Sequence, residues 1–128
     1  MSAALESGAL RFTAAPPGLE PEVDFALAGV DATAGLFSLT AANGAARLYV
    51  LDAALYLPHY TPRIPSGVFA GIGADAESAV VLVVVSPGVQ STVNLAAPIV
   101  VNAATGACAQ VILEGTDWPL RHPLARAA

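Results

Sequence analysis

The 128-residue sequence contains no lysine and only one cysteine, Cys108. A lone cysteine cannot form an internal disulfide, and we expect it to fill space in the core rather than to act as a nucleophile. Ten acidic residues against five arginines give a formal net charge of −5. No basic patch is left to neutralise phosphates, which disfavours nucleic-acid binding, and the negative charge favours a basic protein partner instead.

Long hydrophobic runs are also missing from the chain. The longest wholly apolar run, 79–85, has seven residues, whereas a membrane helix needs about twenty. The N-terminus has no basic start followed by an apolar stretch, so no secretory signal is predicted. We therefore expect one cytoplasmic domain over residues 1–128 without a membrane-spanning segment, because a chain of this length fits a single hydrophobic core.

Motifs for catalysis or metal binding are absent from the sequence. His59 and His122 do not stand in a metal-ligand spacing such as H-x-x-x-H, and the chain has neither a C-x-x-C pair nor a G-x-S-x-G nucleophile elbow. We therefore predict no catalytic residue, no metal and no cofactor. An enzyme or small-molecule-binding barrel that uses His59 or His122 is the alternative, but no motif of its own supports it.

Turn-forming residues are abundant, with ten prolines and eleven glycines spread along the chain. They interrupt helices and leave short β-branched runs, which favours a mainly β fold of antiparallel strands with little helix. In residues 19–27 apolar residues alternate with Glu20, Glu22 and Asp24, which predicts a strand with three carboxylates on its solvent face. This acidic face is a candidate contact for a basic partner.

Two hairpins are predicted from turn residues. Asn43-Gly44 suits a type I′ turn, and folding there places Phe37 opposite Val50 and Leu39 opposite Leu48 on the core face. Gly106 lies in the turn of the second hairpin, between the runs 99–103 and 108–113.

The segments between these hairpins carry three further predictions. The run 79–85 has no alternation and many β-branched residues, so it should be a central strand buried on both faces. Three prolines limit 52–65 to one helical turn followed by an ordered loop. The glycine-rich stretch 66–77 is interpreted as a flexible connection.

The C-terminal third carries an extended signature that resembles the flagellar assembly factor FliW family, whose members carry T-x-N-L-x-A-P-I-x-x-N, a glycine turn, Q-V-x-L and a terminal R-H-P. The matching residues here are Thr92-Val93-Asn94-Leu95-Ala96-Ala97-Pro98-Ile99-Val100-Val101-Asn102, Gly106, Gln110-Val111-Ile112-Leu113 and Arg121-His122-Pro123-Leu124. Earlier, Pro17-Gly18-Leu19-Glu20 is similar to the family's P-G-F-E, and Tyr56-Leu57-Pro58-His59-Tyr60 to its F-x-P-x-Y. The chain departs from the family pattern at Leu19, Ala53 and Trp118, where Phe, Pro and Tyr are usual.

The resemblance implies a cytoplasmic, β-barrel-like flagellar assembly factor. Such a protein binds flagellin as a chaperone-like partner and antagonises CsrA, a basic RNA-binding regulator of translation, so that flagellin level is coupled to flagellin translation. The candidate partner-binding residues are Glu20, Glu22, Asp24, Pro58, Tyr60, Asn94, Leu95, Pro98, Asn102, Arg121 and His122. Two alternatives stay open: a structural interaction domain that has lost CsrA binding, and purely structural roles for signature residues such as Asn94 and Pro98.

Overall fold

The computed structural model describes residues 7–30, 34–113 and 118–124, and the N-terminal stretch considered for a secretory signal begins outside them. Within these ranges the chain forms eight strands and two short helices. The strands are β1 (Gly8–Phe12), β2 (Asp24–Gly29), β3 (Leu36–Ala41), β4 (Arg47–Asp52), β5 (Ala79–Ser86), β6 (Thr92–Asn102), β7 (Ala107–Gln110) and β8 (His122–Pro123). The helices are α1 (Ala53–Tyr56) and α2 (Ser66–Ile72). None of the described helices is long and apolar enough to span a membrane.

The first seven strands form a closed barrel in which each strand pairs with the next along the chain. These pairings are antiparallel, but β1 and β7 close the barrel in parallel, with Phe12 opposite Cys108. The parallel pair follows from the odd number of strands, because directions alternate along the meander and the first and seventh strands therefore run the same way. The predicted mainly β, barrel-like fold with little helix is confirmed.

Alternation along the strands separates an inner core from two outer clusters. The inner core holds fully buried side chains such as Leu39, Leu82, Ile99 and Cys108. On the outside, β4, β5 and the first half of β6 are covered by the segment that follows α1 and by the C-terminal segment, while α2 covers Val100 and its neighbours. The strand β5 is therefore central and buried on both faces, as predicted.

The β3–β4 hairpin has the predicted register, with Phe37 opposite Val50 and Leu39 opposite Leu48. The turn itself differs from the predicted type I′ turn, because the Ala41 N–H donates to the Ala46 carbonyl and closes a four-residue loop, 42–45. The side chain of Asn43 accepts a hydrogen bond from the Ala45 N–H inside this loop. We call this end of the barrel the hairpin end, and the opposite end, where α1 follows β4, the helix end.

Two local predictions need correction. The stretch 66–72 forms a helix rather than a flexible connection, because Val68, Phe69 and Ile72 pack on the outside of the barrel and Gly73, with φ +71°, supplies a left-handed C-terminal cap. The strand predicted over 19–27 begins only at Asp24, since residues 16–22 form turns in which the Leu19 carbonyl accepts from the Glu22 N–H. The single helical turn predicted within 52–65 is present as α1.

Candidate functional site

The residues of the family-like signature form a large bulge in β6. Leu82 lies opposite Ile99 and Val84 opposite Asn94, so four residues of β6, 95–98, face the single residue Val83 of β5. The bulge lets β6 change its second partner: its first residues pair with β8, and its last residues pair with β7. The signature is therefore first of all a structural device that allows β6 to pair with two different strands along its length.

Every carbonyl in the bulge has a hydrogen-bond partner. The Ala96 carbonyl accepts from the Leu113 N–H, the Ala97 carbonyl from the Gln110 side chain, and the Pro98 carbonyl from the Val111 N–H. The carboxamide oxygen of Asn94 accepts from the Ala96 N–H at 3.0 Å. This explains the amide at Asn94, because a backbone that leaves the ladder needs other partners for its polar groups.

Tyr60 links the loop after α1 to the bulge. Its hydroxyl donates a 2.6 Å hydrogen bond to the Leu95 carbonyl, and its ring meets Trp118 edge to face with centroids 4.8 Å apart. Burial raises the pKa of the Tyr60 hydroxyl above its ordinary value, so the hydroxyl remains a donor at neutral pH. Three chain segments distant in sequence thus meet on one face of the barrel, which we call the outer wall.

The C-terminal segment completes the outer wall. His122 pairs with Val93, and Leu124 packs on the same outer cluster, so His122 is half-buried at the strand edge. Arg121 is exposed and forms no ion pair within the described part of the chain. Several apolar side chains remain exposed in the elements that build this wall and its neighbouring helix, namely Leu55, Tyr56, Ile112 and Leu120. An exposed cation beside exposed apolar surface is suited to protein contacts.

Three of the predicted partner-binding residues lie inside the fold. Leu95 is only 3% exposed and packs in the outer cluster. Pro98 is fully buried in the bulge. The Asn102 side chain is buried, donates to the Ile72 carbonyl at 2.9 Å and to the Gly73 carbonyl at 3.2 Å, and accepts from the Ala104 N–H. Asn102 therefore holds the end of α2 against β6, which is the structural role left open for it by the sequence.

The three predicted acidic residues lie at the hairpin end and do not share a strand face. Glu20 accepts a hydrogen bond from the Gly18 N–H within its own turn, and Glu22 accepts one from the Asn43 side chain at 2.6 Å. Asp24, in β2, lies 3.7 Å from Arg11. The prediction of an acidic strand face is therefore wrong, because only Asp24 lies in a strand. The three carboxylates nevertheless lie at the same end of the barrel.

Other reactive groups are arranged as follows. Cys108 is buried in the barrel core, and this burial raises the pKa of its thiol to about 12, which keeps the thiol protonated and unreactive near neutral pH. His59 is exposed in the loop after α1. Among the residues that the structure describes, no three His, Cys, Asp or Glu side chains lie close enough together to hold a metal ion.

One structural residue next to this site was missed by the sequence analysis. Asp52 caps the N-terminus of α1 by accepting a hydrogen bond from the Ala54 N–H at 3.0 Å, and it is only partly exposed. An aspartate directly before Ala53-Ala54-Leu55 is the usual signal for such a cap. No cap was predicted here, because the three prolines that follow argued against more than a single helical turn.

The chain is similar to known proteins over most of its length. The family model described as "FliW protein" matches residues 3–124. The flagellar assembly factor FliW of Thermotoga neapolitana is 31% identical over 115 residues, which covers 85% of this chain and 77% of the relative. The corresponding Geobacillus kaustophilus protein is 28% identical over 123 residues, 93% of this chain and 85% of the relative.

A second pair of comparisons agrees with these. The flagellar assembly factor FliW of Syntrophus aciditrophicus is 34% identical over 88 residues, and the match spans 66% of this chain but only 56% of that relative's length. A crystal structure of the flagellar assembly factor FliW superposes with a TM-score of 0.80 at 26% identity, covering 92% of this chain and 86% of the other. Sequence and fold therefore lead to one conclusion: the chain belongs to the FliW family.

Proposed function

We propose that this protein is a cytoplasmic, non-enzymatic flagellar assembly factor that binds flagellin and antagonises the translational regulator CsrA. The observation that carries the proposal is the family match over residues 3–124, together with relatives that are themselves called flagellar assembly factors. The proposed regulatory logic is a switch: the protein carries either flagellin or CsrA, and accumulated flagellin frees CsrA to repress flagellin translation.

The outer wall is the proposed partner surface. Pro58 and Arg121 are exposed there, and Tyr60, Leu95 and His122 hold the surrounding segments in place. Because Pro98 and Asn102 are buried, we propose that they act by shaping this wall and not by touching a partner. Asn94 acts in the same way through its hydrogen bond within the bulge.

Charge supports the choice of a basic partner. The protein has a formal net charge of −5, and Glu20, Glu22 and Asp24 cluster at the hairpin end. Opposite net charges raise the rate of encounter, so a basic protein such as CsrA is suited to this end of the barrel. The barrel interior is filled by side chains such as Leu39, Leu82 and Ile99, which disfavours a small ligand there.

Calorimetric titration tests the switch. CsrA is titrated into the free protein and, separately, into its preformed complex with flagellin. Exclusive binding requires a positive coupling free energy between the two partners, and linkage makes that coupling reciprocal. We therefore expect weaker CsrA binding in the second titration and weaker flagellin binding in the reverse experiment. Equal affinity in both titrations would rule out the switch, and loss of CsrA binding alone would favour the structural interaction domain.

A further inference from the structure

A surface pocket of about 380 Å³ opens at the helix end, between α1, the loop that follows it and the start of β5. Its walls are mostly apolar and include Ala53, Leu57, Pro58, Tyr60 and Val81. Asp52 lies in the same lining and is its one charged side chain. A pocket of this size accommodates a long side chain or a small ligand rather than a single water molecule.

The pocket contains an unpaired edge of the barrel sheet. The pairing of β4 with β5 ends at Asp52 opposite Leu82, because the chain then turns into α1, whereas β5 begins three residues earlier at Ala79. Residues 79–81 are paired with β6 on one side and with no described strand on the other. The open edge is about 10 Å long, at roughly 3.3 Å per residue.

The backbone groups of Val81 point toward this open edge. The Asp52 N–H donates to the Gly35 carbonyl, so the backbone of Asp52 faces β3. The N–H and C=O of the preceding residue, Leu51, therefore face β5, where Leu51 is paired with Val83. Backbone direction alternates along a strand, and Val81 is two residues before Val83. The N–H and C=O of Val81 are therefore available to an added strand.

The Asp52 carboxylate can accept a further partner. One of its oxygens caps α1 through the Ala54 N–H, and within the described part of the chain the carboxylate has no cationic partner. Burial in the pocket raises its pKa above the ordinary value of 3.8, with the cap hydrogen bond acting in the opposite direction. A carboxylate has room for further hydrogen bonds, and a guanidinium supplies several donors in one plane.

We propose that this pocket is a docking site for an extended segment of a partner protein that carries an arginine. The segment adds a short strand to the β5 edge at Val81, and its arginine side chain enters the pocket. The guanidinium binds the free oxygen of Asp52, while the methylene stem packs on Leu57 and Pro58. The net charge of −5 favours such a cationic segment. The proposal specifies peptide chemistry and does not depend on flagellin or CsrA being the partner.

The test uses the full chain, labelled with ¹⁵N, and two synthetic peptides. The first is acetyl-Thr-Val-Arg-Val-Thr-amide, and the second carries citrulline, a neutral shape analogue, in place of arginine. Titration followed by NMR should shift the amide signals of Ala53, Ala54 and Val81, and hydrogen exchange of the Val81 amide should slow. We expect the citrulline peptide to bind at least about tenfold more weakly, because hydrogen bonds between charged groups are stronger than neutral ones.

A matched pair of variants separates charge from structure. Asp52→Asn keeps a good N-terminal cap for α1 but removes the charge, so folding should be retained and the preference for arginine over citrulline should disappear. Glu77→Gln changes the net charge equally at an exposed position outside the pocket and should keep the preference. The proposal is overturned if both peptides bind wild type equally, if Asp52→Asn keeps the preference, or if the shifted signals lie away from the β5 edge.

Discussion

The side chain of Asn102 at the end of β6 donates a 2.9 Å hydrogen bond to the Ile72 carbonyl at the end of α2. The contact joins residues 30 positions apart. It satisfies a carbonyl that has no partner inside its own helix, because the last carbonyls of any helix lack one. A residue that the family resemblance suggested as a partner contact thus serves to fasten α2 to the barrel.

Replacing Asn102 by Leu should therefore lower stability and spare direct partner contacts. The substitution removes three hydrogen bonds and leaves buried carbonyls unsatisfied, so we expect the free energy of unfolding to fall by about 1–3 kcal/mol. Urea unfolding measures the change. Asn43→Ala is the comparison, since it removes two hydrogen bonds at an exposed position and should cost less, about 0.5–1 kcal/mol. Similar losses in both variants would contradict the structural role of Asn102.

The contact between Tyr60 and Leu95 gives a second prediction. Tyr60→Phe deletes the 2.6 Å hydrogen bond to the bulge but keeps the ring against Trp118, so we expect a loss of about 1 kcal/mol. Tyr56→Phe deletes a bond of the same length to Ala34, but at an exposed position, and should cost less. Unfolding followed by the fluorescence of the single tryptophan compares the two variants. An equal cost would show that burial adds nothing to the Tyr60 bond.

Short-range patterns predicted much of the barrel. The turn residues around Asn43 and the apolar alternation of the flanking runs were enough for the register of the first hairpin, because register depends on neighbours close in sequence. The turn around Gly106 located the second hairpin without its register. The run 79–85 was predicted as a central strand from its β-branched residues and its lack of alternation. The closing parallel pair between β1 and β7 was not predicted, since it depends on the number of strands in the whole meander.

The errors share a physical cause, which is that tertiary contacts outweigh local preference. Three glycines within 66–73 argued against a helix, yet burial of Phe69 and Ile72 stabilises one. The alternation over 19–27 matched a strand, but Pro21 cannot donate to a ladder and the chain turns there instead. The sequence predicted the residues of the candidate site individually, without the contacts between them. The bond from Tyr60 to Leu95 spans 35 positions and was visible only in the fold.

Core packing gives a third prediction. Leu39 is fully buried inside the barrel, whereas Leu48, directly opposite in the hairpin, is only partly buried. Leu39→Ala should therefore cost about 2–5 kcal/mol, the usual range for a buried leucine, and Leu48→Ala about 1–2 kcal/mol. Thermal and urea unfolding of the two variants give the comparison. A larger loss for Leu48 than for Leu39 would mean that the relative burial of these two side chains is assigned wrongly.

Two glycines with positive φ distinguish backbone strain from steric clash. Gly106 has φ +83°, and a Cβ added there would lie 2.4 Å from the Ala9 carbonyl oxygen, whereas Gly44 has φ +76° and open space around it. Gly44→Ala should cost about 1 kcal/mol for the left-handed conformation alone. Gly106→Ala adds a clash with the backbone of β1 and should cost about 3 kcal/mol or more, or prevent folding. Equal unfolding free energies for the two variants would contradict the close approach of Gly106 to β1.

The last prediction concerns the acidic hairpin end and association with CsrA. Glu20 and Glu22 are bound to neutral groups, so Glu20→Lys and Glu22→Lys together reverse the local field without opposing another cation. Asp24 is left unchanged because reversal there would face Arg11. Charges at the rim of an interface mainly set the association rate, so we expect association with CsrA to slow by about tenfold at low salt and its salt dependence to flatten.

Glu77→Lys, at the helix end, is the control for a charge change elsewhere and should have a smaller effect. Stopped-flow association at several salt concentrations provides the measurement, with circular dichroism to verify folding. An unchanged association rate in the double variant would show that the hairpin end does not contribute to CsrA binding. That result would not bear on the outer wall or on the family membership.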